Sequence, residues 1–437
     1  MQHPTEATTA IVLLDLAVVI GVGSVFASAA QRWGQPAVVG EIIAGILLGP
    51  TLVGALPGHL TATLFPPDER AFLAVFANIG LCLFMFGVGF EVDIGHLRRS
   101  GHTAAAVSLA SVALPFVLGI GTALLIYPHH RTAGGHHVAV LPFALFLGVA
   151  MSITAFPVLA RILAGLRLHA TRLGSFVMGC AAAADVVAWG LLAVVVALVA
   201  GSGRLHLVAV LAGVAGLLLA LVFVVRPLVG WLVRGPVRDS GTGPLLILVV
   251  GLLASAAATT TLGFHPIFGA FAFGAVMPRE AIQEVAPDAT VLIEDTSRLL
   301  VPVFFVTTGL VVNLSALGRR GDLEAVLVLA AACVGKFAGA AGAARLCGLD
   351  GRRAAAVGVL MNSRGLTELV VIQVGVSLGV VDRALASMMV LMAVVTTVSA
   401  TPLFRRLYNG RLEREDRWSA RPVRPGPALA ARPPSAR

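Results

Sequence analysis

The chain has 437 residues, 58% of them hydrophobic and only 12% charged, with a mean hydropathy of +0.94. Soluble domains carry about 25% charged residues, so a chain this apolar cannot cover itself with polar groups and takes a lipid bilayer as its solvent. The formal charge of +9 would suggest a nucleic-acid partner in a soluble protein, but here the arginines sit between apolar runs and in a tail, and no nucleic acid is expected.

In chain order, apolar runs predict helices near 10–30, 36–56, 71–92, 103–126, 138–163, 174–200, 206–233, 243–262, 264–278, 299–317, 323–346, 354–380 and 384–404. That is thirteen, or twelve if the short run at 264–278 joins its neighbour. No Lys or Arg precedes the first run, which is long enough to span a bilayer, so it reads as a retained helix behind a short outer N-terminus, 1–9. With the N-terminus outside, fourteen loop arginines fall on the inner side and six on the outer. The bias predicts a multi-pass protein of the cell membrane with its C-terminus in the cytoplasm. The Arg- and Pro-rich tail, 408–437, is expected to be disordered beside the anionic inner leaflet. It has no strand–GxGxxG–helix unit, so no nucleotide-binding regulatory domain is expected. The four cysteines show no CxxC spacing and read as small core- or lipid-facing residues.

The two halves resemble each other in order. Pro36, Gly40 and Gly45 recur as Pro266, Gly269 and Gly274; Phe84, Gly89, Val92, Asp93 and Leu97 as Phe304, Gly309, Val312, Asn313 and Leu317. Gly148, Val149, Met151 and Leu159 recur as Gly358, Val359, Met361 and Leu369. Each match lies seven helices later, an odd number, so matched helices run in opposite directions. This predicts an all-α membrane fold of two inverted six-helix repeats, 10–200 and 243–407, joined by a linker helix at 206–233.

Few charges lie within the apolar runs. Asp185 follows four alanines, and an ionised carboxylate at the bilayer centre costs about 2.5–3.5 kcal/mol, so acids there usually mark an ion or proton path; the plainer reading is a protonated Asp packed between helices. Lys336 is the only lysine among 31 basic residues. Unlike Arg it can lose its proton when desolvated, so it reads either as a fixed counter-ion of Asp185 or as a titrating group. Two helices look broken at membrane depth: Ser152-Ile153-Thr154-Ala155-Phe156-Pro157, where Pro157 frees the Ile153 carbonyl, and Asn362-Ser363-Arg364-Gly365-Leu366-Thr367-Glu368. Matched breaks in repeat-related helices point to a midplane site lined by half-helix ends. Arg364 and Glu368, four apart, can pair on one face and read as structural. Glu41, Glu91 and Asp93 read as interfacial or packing groups, and Asp15 supports nothing specific. The cluster His129, His130, His136 and His137 reads as a solvated outer loop rather than a metal or pH-sensing site.

With these residues in place, the sequence resembles the cation:proton antiporter superfamily, in the branch of Kef-type potassium antiporters and plant cation/H+ exchangers. The matching segments are Gly34-Gln35-Pro36 through Gly49-Pro50, Ser152 through Arg161, Asp185-Val186-Val187-Ala188-Trp189, Phe268-Gly269-Ala270-Phe271, Gly335-Lys336 and Met361 through Leu369, over about 10–407. The resemblance implies a homodimer, a scaffold with a mobile core, and crossed discontinuous helices beside an essential aspartate. That aspartate is Asp185, with Thr154 nearby and Lys336 as the basic partner. Where relatives carry Asn, Gln or Asp before it, this chain has Ala184, which leaves one carboxylate and favours electroneutral 1:1 exchange.

The resulting expectation is a secondary antiporter, not an enzyme and without a cofactor, in which H+ and Na+ or K+ compete for Asp185. Carbonyls at the breaks and the Thr154 hydroxyl replace lost water, and Ser152, Ile153, Pro157, Asn362, Ser363, Arg364 and Glu368 line the site. The alternative is a cation channel or ion sensor on the same fold. An intramembrane aspartyl protease would need a second catalytic aspartate, for which no convincing candidate exists.

Overall fold

The computed structural model describes residues 4–55, 65–66, 70–91, 101–166, 168, 171–200, 204–238, 240–262, 264–313, 318–408 and 412. Asp93, Leu97, Leu317 and, apart from Tyr408 and Leu412, the tail lie outside the described residues, as do the side chains of Pro157 and Arg161. The helices are α1 (Pro4–Arg32), α2 (Ala37–Leu48), α3 (Arg70–Glu91), α4 (Gly101–Ile126), α5 (Val140–Ser152), α6 (Phe156–Gly165), α7 (Arg172–Ala200), α8 (Arg204–Ala220) and α9 (Arg226–Arg234). They continue as α10 (Gly243–Thr261), α11 (Pro266–Val276), α12 (Arg279–Val285), α13 (Pro287–Leu310), α14 (Gly318–Leu346), α15 (Gly351–Met361), α16 (Leu366–Ser377) and α17 (Arg383–Leu407).

Among the described residues, eight helices are long and apolar enough to cross a membrane, and four shorter apolar ones accompany them: α2, α5, α11 and most of α16. Of these, α2 and α11 are repeat-related, while α5 and α16 are each one piece of a split helix. The predicted fifth and twelfth helices are each split in two, as α5/α6 and α15/α16. The linker helix is α8 and α9 joined through a π-helical turn at Leu221–Val225. The tenth helix departs from expectation: it starts at Pro287, twelve residues early, because Asp288, Glu294, Asp295 and Arg298 hide its apolar stripe from a hydropathy window while leaving a sound helix.

Two bundles form. α1, α2, α3, α10, α11 and α13 pack on one another, and α4 to α7 pack with α14 to α17. Exchanging α1 with α10, α2 with α11, α3 with α13, α4 with α14, α5/α6 with α15/α16 and α7 with α17 maps the packing onto itself. Thus α1–α2 becomes α10–α11, α2–α13 becomes α11–α3, and α4–α5 becomes α14–α15. The repeated glycines explain the match. A Cβ on Gly45 of α2 would lie 2.2 Å from the Val306 carbonyl oxygen of α13, and one on Gly274 of α11 would lie 2.2 Å from that of Phe86 in α3. Gly40 and Gly269 meet Phe26 of α1 and Ser255 of α10 in the same way. Where lipid removes the hydrophobic drive between helices, such close backbone approach supplies the packing. The chain is therefore two inverted repeats.

Hydrogen bonds join the bundles along α17: Gln35 Nε2 donates to the Val398 carbonyl (3.3 Å), and the Asn313 amide to Ser387 Oγ (3.1 Å).

The histidine-rich loop is only partly solvated. Gly134 and Gly135, with φ of 58° and 83°, close a two-residue turn between strands β1 (Thr132–Ala133) and β2 (His136–His137), a conformation that side chains resist. His136 and His137 are exposed, but His130 is buried. Its Nδ1 lies 2.5 Å from Asp382, which N-caps α17, and its Nε2 lies 3.1 Å from Glu324 of α14; Glu324 also meets His129 at 2.7 Å. The expectation of a free loop failed because both carboxylates arrive from distant sequence. Burial opposes charge on His130, but the hydrogen bonds and charges of Asp382 and Glu324 outweigh it and raise the His130 pKa above 6.5. Burial likewise works against the Asp382 carboxylate, but His130 and the α17 amides hold it below its usual range. A raised histidine contributes stability that is complete below pH 6.5 and is lost as pH rises through its folded value. Apparent melting temperature in detergent is therefore expected to fall as pH is raised above 6.5, and His130→Gln to flatten that dependence.

Candidate ion-exchange site

An interrupted helix inside a bundle exposes main-chain ends that no water can reach, so something in the protein must satisfy them. α5 stops at Ser152, and Ile153 is extended (φ −68°, ψ 139°). The chain then turns tightly at Ala155, with the Phe156 amide donating to the Thr154 carbonyl (3.1 Å), as α6 begins at Phe156. Pro157 therefore sits in the first turn of α6, where a missing N–H costs nothing, and the break precedes it rather than following from it. The amide of Phe156, at the positive end of α6, donates to Asp185 Oδ2 at 3.3 Å from the middle of α7. Asp185 is buried, and its Oδ1 has no hydrogen-bond partner. Neither has the hydroxyl of buried Thr154, two residues before Phe156.

At the other end of the break, the last carbonyls of α5 meet cations. Lys336, fully buried on α14, donates to the Ser111 carbonyl of α4 (3.0 Å) and to that of Ser152. Arg364 Nη2 donates to the Met151 carbonyl (2.7 Å) and Nη1 to that of Ala150 (3.4 Å). Among the described residues no ion pair within 4.0 Å joins Lys336 to Asp185; the two serve opposite ends of one broken helix. Lys336 thus acts on Asp185 through its field, not through a bond.

The second break crosses the first. The Ala155 amide donates to the Ser363 carbonyl (3.3 Å) and Thr367 Oγ1 to the Thr154 carbonyl (3.4 Å). Arg364 Nη1 pairs with Glu368 Oε1 at 3.0 Å, both side chains fully buried, and Glu368 lies in the first turn of α16, where negative charge suits the helix dipole. The side chains of Ser152 and Ser363 bond back to their own helices, at Gly148 (2.7 Å) and Leu360 (2.8 Å), so these residues offer the site their carbonyls. Asn362 Nδ2 points to Cys333 Sγ at 3.7 Å on α14, away from Asp185's partners.

A cavity of about 720 Å³ opens between the bundles, bounded by Gln35, Glu41, Phe84 and Arg298 on one side and by Ile162, Leu166 and Arg405 on the other. Asp185, Thr154 and Lys336 do not line it; it reaches α6 one and a half turns beyond Phe156. Glu41 is buried on its wall rather than interfacial. Sequence reasoning missed the Ser111 carbonyl, the Phe156 amide and Thr397, whose hydroxyl meets the Arg364 backbone. Main-chain groups carry no residue signature, and a threonine in an apolar helix looks like packing.

Removing one partner of a buried ion pair costs roughly 3–5 kcal/mol, while replacing both is far milder. Arg364→Met is therefore expected to lower the melting temperature in detergent sharply. Arg364→Met/Glu368→Met should recover part of the loss, the rest reflecting the uncapped α5 carbonyls.

The chain was compared with known proteins. The family model of the sodium/hydrogen exchanger transmembrane domain matches residues 17–407. A Na+/H+ antiporter of Synechocystis sp. is 37% identical over 406 residues, 92% of this chain and 98% of that protein. Cation/H+ antiporter 17 of Arabidopsis thaliana is 37% identical over 93% of this chain, and K+/H+ antiporter 1 of Saccharomyces cerevisiae 35% over 86%. The chain spans 49% and 44% of the length of these two. A solved sodium/proton antiporter of Methanocaldococcus jannaschii shares the fold, with a TM-score of 0.55 at 16% identity, covering 94% of this chain and 99% of that one. The family match over residues 17–407 and the 37% identity to an antiporter covered almost end to end show that the chain belongs to the sodium/hydrogen exchanger transmembrane family.

Proposed function

We propose that this protein exchanges a monovalent cation, Na+ or K+, for H+ across the cell membrane by alternating access, with the two competing for Asp185. The observation that carries the proposal is the Asp185 carboxylate itself: one oxygen held by the α6 N-terminus, the other buried and unpartnered. A buried acceptor without a donor is costly. Protonation of Oδ1 relieves that cost, and so does a cation that has shed part of its water. Thr154 Oγ1, also unpartnered, is the oxygen available to replace that water; the Thr154 and Ala155 carbonyls already accept hydrogen bonds. The names of the relatives, Na+/H+ and K+/H+ antiporters among them, support the same reading.

Coupling follows from single occupancy. The buried charges at the crossing are two acids, Asp185 and Glu368, and two bases, Lys336 and Arg364. Arg364 and Glu368 neutralise one another directly, and Lys336 is tied to carbonyls, so Asp185 is the group whose charge a proton or cation can cancel. Either bound form satisfies the carboxylate; the empty form leaves an uncompensated oxygen and resists passing between access states. Ala184 supplies no second carboxylate, so one proton is exchanged for one cation. The protein acts as a homodimer, with the N-terminus outside and the C-terminus in the cytoplasm.

Proteoliposomes with an internal pH dye test this. An imposed cation gradient is expected to move protons in the wild type, and Asp185→Asn to abolish the movement; full exchange by that variant would remove the site. Lowering pH should raise the apparent KM for the cation without changing the maximal rate, as competition for one carboxylate requires. Thr154→Val should raise the cation KM roughly tenfold, the scale of one lost charge-assisted contact.

A further inference from the structure

We propose that Thr397 is a positioning residue of the exchange site, a neutral counterpart of Asp185 that sets the second broken helix so that the first is held in register. The inference rests on the exchange reading above and concerns a residue that touches neither the carboxylate nor the ion.

The repeat motivates it. In each half, the helix after the broken pair packs on both of its pieces: α7 on α5 and α6, α17 on α15 and α16. In the first half, α7 passes the break and presents Asp185 Oδ2 to the Phe156 amide (3.3 Å). In the second, α17 passes the break and presents Thr397 Oγ1 to the Arg364 amide (3.2 Å), two residues before the start of α16 and so within the break itself. The same hydroxyl also donates to the Arg364 carbonyl. A hydroxyl carries one donor and acceptor lone pairs, so Thr397 satisfies both main-chain groups of one residue; an ionised carboxylate could accept from the amide but not donate to the carbonyl.

That use is not the default for a buried helical threonine. Such hydroxyls usually bond back to a carbonyl three or four residues earlier, as Thr396 does to Met392 (2.9 Å) and Ala393 (3.1 Å). Thr397, equally buried, spends its hydroxyl outside its own helix. Pinning Arg364 has two effects on the other break. The adjoining Ser363 carbonyl accepts the Ala155 amide (3.3 Å), next to the Phe156 amide that holds Asp185. The Arg364 guanidinium, at the end of a long side chain, must reach the Met151 and Ala150 carbonyls, so a small shift of its backbone is carried to the end of α5. Thr397 therefore acts on Asp185 through Ser363, Arg364 and the 153–155 segment.

The test uses the full chain in proteoliposomes, comparing wild type, Thr397→Val, Thr397→Ala, Thr397→Ser and Thr396→Val, with Asp185→Asn in the same series. Cation KM and the midpoint of the pH–rate profile are read for each. Thr397→Val and Thr397→Ala are both expected to raise KM about fivefold or more, the scale of one hydrogen bond, and to move the pH midpoint. Thr397→Ser should restore both, and Thr396→Val should leave them unchanged. The Ala variant answers the same question should the Val variant fail to fold. Unchanged KM and midpoint in the recovered hydroxyl-free variants, a Ser variant as impaired as Val, or an equal effect of Thr396→Val would overturn the inference. Exchange surviving in Asp185→Asn is a different failure: it removes the exchange reading, and this inference with it.

Discussion

Everything at the centre of this protein depends on one constraint: a helix cut short in a dry interior leaves amides and carbonyls that must find partners within the protein. The two breaks answer it with charge. The amide end of α6 faces Asp185, and the carbonyl end of α5 faces Lys336 and Arg364. Glu368 stands at the amide end of α16. Each of these side chains is thus placed at the half-helix end whose dipole suits its charged form. Both acids keep one unpartnered oxygen; Glu368 is paired through the other with Arg364, whereas Asp185 meets a main-chain amide.

The fold supports that arrangement by making the surroundings unable to adjust. Glycines at repeated positions bring main chains so close that no side chain can intervene, and the packing of one half reproduces that of the other. In the bundle that carries the breaks, Gly148 and Gly358 approach the carbonyls of Phe116 and Phe337 in the same manner, so the half-helix ends sit in a tightly packed interior.

Much of this was legible in the sequence, for physical reasons. Lipid imposes long apolar runs, so helix number and breaks could be read from composition and from Pro and Gly amid polar side chains. The repeat was visible because Gly40, Gly45, Gly269 and Gly274 cannot be replaced where backbones touch. Asp185, Lys336, Arg364 and Glu368 stood out because charge in an apolar run is costly. The remainder was not legible. That Lys336 is bound to carbonyls of Ser111 and Ser152 rather than to Asp185, and that Pro157 starts a helix instead of breaking one, depend on main-chain positions. His130 looked solvated because its partners, Glu324 and Asp382, lie 194 and 252 residues away. The early start of α13 was hidden by acidic residues that lower hydropathy without opposing a helix.

The pair of bonds along α17 carries a mechanical implication. Ser387 and Val398 are eleven residues apart, roughly 16 Å of helix, and each accepts a hydrogen bond from the first bundle. A rigid glide of one bundle past the other would have to part both fasteners together. A tilt pivoting near one end would strain mainly the other, so the two contacts are placed like latches at opposite ends of one lever.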